Sequence, residues 1–121
     1  MNVKIKRVYE AQSEQDGRRV LVDRLWPRGL TKEKAGVDLW LKDIGPSTEL
    51  RKWFGHEPGR WKEFEKRYRD ELKKQPASLS ILKREAERGP LTLLFGARDE
   101  EHNEAVILCS ILKDSVRDSP S

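Results

Sequence analysis

The chain has little sulfur and no long hydrophobic run. It holds one cysteine, Cys109, and one methionine. No internal disulfide can form, so the fold must rest on its core. A lone cysteine suits a reducing compartment, and a cytoplasmic location is expected. The opening residues, MNVKIKRVYE, lack the apolar stretch of a signal peptide. Nothing approaches the roughly 18 apolar residues of a membrane helix, so no membrane partner is expected.

Several motifs are also missing. There is no G-x-G-x-x-G, no P-loop and no G-x-S-x-G, which removes the usual dinucleotide, nucleoside-triphosphate and serine-hydrolase readings. The two histidines, His56 and His102, are far apart, and no cysteine pair or compact carboxylate cluster accompanies them. No metal site is expected, and no cofactor is assigned.

Charge, by contrast, is abundant. Charged residues make up 38% of the chain, with 25 Lys and Arg against 21 Asp and Glu, a net of +4. The signs are interspersed, as on solvated helix faces with internal pairing. A small basic excess allows an anionic ligand. Nucleic acid is the weaker reading, because no Lys/Arg-rich run with interleaved aromatics appears.

The 121 residues fit one domain. We expect a single α/β domain over residues 1–117 and a frayed tail over 118–121. Residues 3–9 alternate Val3 and Ile5 with lysines, which predicts a strand with one wet face, near a sheet edge. RVLVDR and LTLLF carry continuous apolar runs, the mark of central parallel strands buried on both faces. Thr31 and Gly36 bracket a short helix over KEKA. VDLWLKDI reads as a short strand or an ordered loop.

Helices are predicted from Pro46-Ser47 through Phe54, from about Arg60 to Lys74, from about Leu79 to Arg88, and after ARDEEHN. Ser47 reads as a cap rather than a nucleophile. Cys109 falls on the apolar stripe Ala105, Leu108, Cys109, Leu112 and Val116, which makes it core packing. The pattern predicts a small three-layer α/β domain, with a mainly parallel sheet of about four strands and helices on both faces.

In such sheets ligands bind beyond the carboxyl ends of the strands. One strand end delivers Asp23, Arg24, Trp26 and Arg28. The other delivers Asp99, His102 and Asn103. Period-two alternation would send Asp23 and Arg24 to opposite faces. Trp26-Pro27 would form a rigid apolar wall, and Arg28 would project a guanidinium fork suited to phosphate or carboxylate. Asp99 would cap the last helix or pair with an arginine, leaving His102 and Asn103 to donate or accept. Structural roles are open at each position: the arginines could staple loops to the sheet, the tryptophans could build core, and the acidic loop could be a plain helix start.

VDRLWPRG, with the flanking run to FGHEP, then WKEFEKRYRDEL and LTLLFGARDEEHNEAVIL, closely resembles the YeaO-like branch of the uncharacterised family known as domain of unknown function 488. The resemblance runs from about Lys6 to Leu112. It implies a small single-domain protein with an α/β fold. Other branches carry a cysteine-containing signature near the C-terminal strand. This chain has FGARDEEHN at the matching place, which argues against a thiol-based mechanism. Gly45 and Gly96 stand where relatives often have alanine, a difference expected to matter little.

These readings converge on a cationic pocket for a small anionic ligand, a nucleotide or another phosphate or carboxylate compound. Arg24, Trp26, Arg28, Lys42, Arg51 and Asn103 are the expected ligand contacts. Asp23, Asp99 and His102 are the proton-transfer candidates if there is a reaction. The alternative is a non-catalytic regulatory or interaction module that binds protein or nucleic acid. Oligomeric state is not legible.

Overall fold

The computed structural model describes residues 2–117. Four strands form one all-parallel sheet: β1 (Val3–Arg7), β2 (Arg18–Leu21), β3 (Leu39–Trp40) and β4 (Leu91–Phe95), in the order β1-β4-β2-β3. The two apolar runs sit side by side at the centre, with Val20 opposite Leu93 and Leu21 opposite Leu94. All five residues of β4 are buried. β1 lies at an edge, as its alternation predicts. VDLWLKDI divides between the two-residue β3 and a 3-10 turn over Lys42–Ile44.

Five helices surround the sheet: α1 (Lys32–Ala35), α2 (Thr48–Phe54), α3 (Trp61–Leu72), α4 (Pro76–Arg88) and α5 (Glu104–Arg117). α4 begins three residues before the expected Leu79, because proline is tolerated in a first helical turn where its missing N–H is not needed. Thr31 and Ser47 cap α1 and α2 through their hydroxyls, and Gly36 ends α1 in the left-handed region. Arg67 and Arg69 pair with Glu63 and Glu65 along α3, one turn apart.

The two faces of the sheet are unequal. One carries the main core, in which Val20, Leu91, Leu93 and Phe95 meet residues of α2 to α5, among them Phe54, Phe64, Tyr68, Leu82 and Leu108. The other is covered by α1 and the segment that leads to it. There Leu21, Leu94, Val8 and Ala35 pack with Trp26, Leu30 and Val37. The three layers are therefore one thick, one sheet and one thin. Cys109 packs against the main core. Val116 and the tail 118–121 lie outside the residues whose side chains are described.

The N-terminal end of the thin face is closed by charge. Asp16 is 1% exposed. It accepts from Ser13 N–H and pairs with Lys6 at 3.1 Å and with Arg19. Arg19 spends its other donors on the carbonyls of Ala35 and Gly36. Burial pulls the Asp16 carboxyl upward, but the Ser13 N–H and the two cations outweigh it and hold the group below its ordinary value.

Candidate functional site

The opposite, C-terminal end of the sheet is built differently. The β2 ladder stops at Leu21, and Val22 N–H still reaches Leu94 O at 3.1 Å. Beyond it the chain leaves strand geometry. Asp23 turns toward β4 and accepts the Gly96 N–H at 2.7 Å. Arg24 turns toward the start of α2, where it donates to Gly45 O at 2.8 Å and Pro46 O at 3.0 Å. The two side chains thus leave the chain in different directions, one toward β4 and one onto a helix start, and both residues line one cleft.

That cleft has a volume of about 470 Å³, within the range of small-molecule sites. The loop after β2 supplies Asp23, Arg24 and Leu25. α2 and its end supply Thr48, Arg51, Lys52, Phe54 and His56. Phe64 comes from α3, and Gly96, Ala97, His102, Asn103 and Glu104 come from the segment between β4 and α5. Phe54 and Phe64 stack with centroids 4.4 Å apart and give an apolar wall. His56 reaches the cleft in a left-handed conformation, φ 59°, directly after Gly55 at φ 53°. A non-glycine residue held there costs about 1 kcal/mol or more.

Arg51 is exposed, and while its backbone bonds within α2 to Ser47 O and Gly55 N–H, its guanidinium makes no hydrogen bond or ion pair among the described residues. Asp23 is half-buried with one N–H partner. Burial pushes its carboxyl up to about 6, against the Gly96 N–H and the Arg51 charge, which both pull it down. Glu104 is only 8% exposed, and its Oε1 is buried with no hydrogen-bond partner. Such an orphaned acceptor costs roughly 1–3 kcal/mol, and more if charged.

Asp99 forms the turn ahead of α5. It accepts from the N–H groups of Glu101 and His102, at 2.9 and 3.0 Å, and its second oxygen meets His102 Nδ1 at 2.9 Å. The Glu101 N–H first, then the imidazole, hold its carboxyl below the ordinary range. No arginine pairs with it among the described residues. Asn103 caps α5 by accepting Val106 N–H at 3.2 Å and donates to Asp99 O at 2.9 Å. Asn103 is therefore committed to the backbone rather than free. His102 keeps its second ring nitrogen, and its ring stands edge-on to Trp61 at 5.2 Å.

Of the expected site residues, the cleft brings together Asp23, Arg24, Arg51, His102 and Asn103. Asp99 sits behind His102. Three stand outside. Trp26 belongs to the thin-face cluster and donates its indole N–H to Leu30 O. Arg28 is exposed, its carbonyl accepting Tyr9 O–H. Lys42 lies over the ring of Trp40, 5.6 Å from its centroid. The chain therefore divides between Leu25, which lines the cleft, and Trp26, which with Leu30 and Val37 packs on the thin face.

Sequence reasoning missed Glu104. A signal was present: Glu104 precedes Leu108 and Leu112 by one and two helical steps of four, on the buried stripe. The glycines also matter more than expected. A Cβ on Gly96 would stand 2.9 Å from Asp23 Oδ2, and one on Gly45 would stand 2.8 Å from Arg24 N.

Comparison with known proteins places the chain in a family. The profile of DUF488-N3i, described as the inactive DUF488-N3 subclade, matches residues 2–120. The uncharacterized protein YeaO of Escherichia coli is 42% identical over 113 residues, covering 93% of this chain and 98% of that protein. An uncharacterized protein of Mycobacterium tuberculosis is 41% identical over 110 residues, covering 91% and 92%. No solved structure matches the chain at a significant level. Among the described residues, no helix is long and apolar enough to cross a membrane.

Proposed function

The chain belongs to the YeaO-like DUF488-N3i family, and from that premise we propose that its cleft binds a small anionic ligand, a phosphate or carboxylate compound, without turning it over. The observation that carries this reading is Arg51. Its guanidinium stands at a concave site beside an aromatic wall, with no internal carboxylate paired to it among the described residues. An unpaired fork of this kind suits an oxyanion. Arg24 contributes charge while its donors hold the Gly45 and Pro46 carbonyls. The description of the family as an inactive subclade supports binding over catalysis. So does the lining, which among the described residues offers no cysteine or serine. The same proposal places the protein in the cytoplasm and makes residues 1–117 one folding unit.

Calorimetric titration with inorganic phosphate, nucleoside monophosphates and short carboxylates tests it. At least one of these should bind, and Arg51→Ala should weaken that binding about tenfold or more, the effect of losing one charge-assisted contact. Failure of every anion, or unchanged affinity in the variant, would remove the reading.

The Asp99–His102 pair favours a second reading, acid–base chemistry in the same cleft, since a carboxylate on Nδ1 orients an imidazole for proton transfer. Consumption of a bound ligand by the native protein but not by His102→Gln would establish it.

A further inference from the structure

The anionic reading accounts for Arg51 but leaves Glu104 unexplained. A binding site for a simple anion has no use for a buried carboxylate, which would repel it. Yet Glu104 lines the cleft, is over nine-tenths buried, and keeps Oε1 without a partner. Its place in the first turn of α5 explains a negative charge there. It does not explain the burial, because the Val106 N–H of that turn is already taken by Asn103 and no first-turn N–H reaches Oε1. Asp23 is the other carboxylate lining the same cleft, and among the described residues its only hydrogen-bond donor is the Gly96 N–H. The cleft thus holds two under-satisfied carboxylates together with the unpaired Arg51.

We propose that Glu104, with Asp23, receives the ammonium group of a small zwitterionic ligand whose phosphate or carboxylate is held by Arg51. This rests on the anion-binding reading and adds the second half of the ligand. An ammonium supplies up to three N–H donors to a cleft whose two carboxylates lack them and brings positive charge to a site where buried negative charge is costly. The apolar wall of Phe54 and Phe64 then suits the short carbon chain between the two charged ends.

The experiment uses matched pairs of probes on the full chain: aminoethyl, aminopropyl and aminobutyl phosphate against ethyl, propyl and butyl phosphate, by calorimetry. In the native protein at least one amine should bind about tenfold tighter than its plain partner. Glu104→Gln keeps the shape of the side chain and should bring that ratio close to one, weakening the amine while the plain phosphate, relieved of a like charge, binds no more weakly than to the native protein. Arg51→Ala should weaken both members of the pair. Equal binding of amine and plain phosphate by the native protein would overturn the proposal and leave the anionic reading standing. A ratio that survives Glu104→Gln would also overturn it, as would a variant that only melts at a higher temperature with the ratio intact. Binding by neither series would overturn the proposal, and the anionic reading would fall with it only if inorganic phosphate, nucleoside monophosphates and carboxylates also failed to bind.

Discussion

Two carboxylates mark the two ends of the sheet, and they live in opposite circumstances. Asp16, at the N-terminal end, is almost fully buried yet surrounded by donors: the Ser13 N–H, Lys6 and Arg19. Its charge is held ionised. Asp23, at the C-terminal end, has one N–H and the more distant Arg51, and burial lifts it to about 6. The difference separates a charge that closes the fold from one the fold leaves under-satisfied. Arg19 and Arg51 repeat the contrast. The first is buried and fully committed to Asp16 and the α1 carbonyls, and the second has no partner among the described residues. Protein stability is a small difference of large terms, so an under-satisfied buried group persists only where the rest of the fold offsets it. Such groups gather at functional sites.

Removing Asp16 should have the largest effect. Asp16→Ala leaves Arg19 buried without its counter-charge, and chemical denaturation at pH 7 should show a loss of about 3–5 kcal/mol. A loss under about 1 kcal/mol would mean that the two ends of the sheet do not differ as described.

Asp23→Asn should act in the opposite direction. A group whose folded value is raised stabilises the fold only while protonated. That contribution is complete below the ordinary value of 3.8 and is lost as pH rises through about 6. The isosteric amide still accepts the Gly96 N–H and carries no charge. Relative to native protein it should gain up to about 3 kcal/mol at pH 8 and nothing near pH 4, from roughly 1.4 kcal/mol per pH unit. Urea titrations at the two pH values measure this, and a gain that does not change with pH would refute the assignment.

Gly96→Ala sharpens the contrast more gently. The new Cβ crowds Asp23 Oδ2, so the carboxylate must shift and its bond to the residue 96 N–H weaken. A cost of about 1 kcal/mol is expected, one hydrogen bond's worth, with the Asp23 titration moving further up. Nuclear magnetic resonance of the carboxyl carbon would follow it, and a downward movement would contradict the geometry. Arg51→Ala should be the mildest of these, changing stability by about 0.5 kcal/mol or less, because its guanidinium holds nothing inside the protein.

The sheet was largely legible in advance. LTLLF and VLV could be central strands only, since no other element hides both faces of so short an apolar run. Ser47, Thr31 and Gly36 announced helix ends by their own chemistry. The site was less legible. VDRLWPRG is contiguous in sequence, but the bend that follows the end of the β2 ladder splits it. Asp23 and Arg24 go to the cleft, while Trp26 packs beneath α1. Arg28 and Lys42 looked equivalent to Arg51 as cations near one edge, and nothing local says that only Arg51 faces the cleft. Asn103 looked available, but its Nδ2 donates to Asp99 O and its Oδ1 accepts the Val106 N–H of α5.

The amino-acid order alone determined the two central strands, the helix caps and the i,i+4 ion pairs, because each depends on residues a few positions apart, and it carried the family through motifs spread along the chain. Only the tertiary structure decided which charges are satisfied. Asp16 and Asp23 differ by seven positions in one short segment, and Glu104 lies far beyond both. Whether each meets a cation, a single N–H or nothing depends on what β1, β4, α2 and α5 bring against it. Hydrogen bonding and desolvation act over a few ångströms of space, and the spacing of residues along the chain does not set those distances.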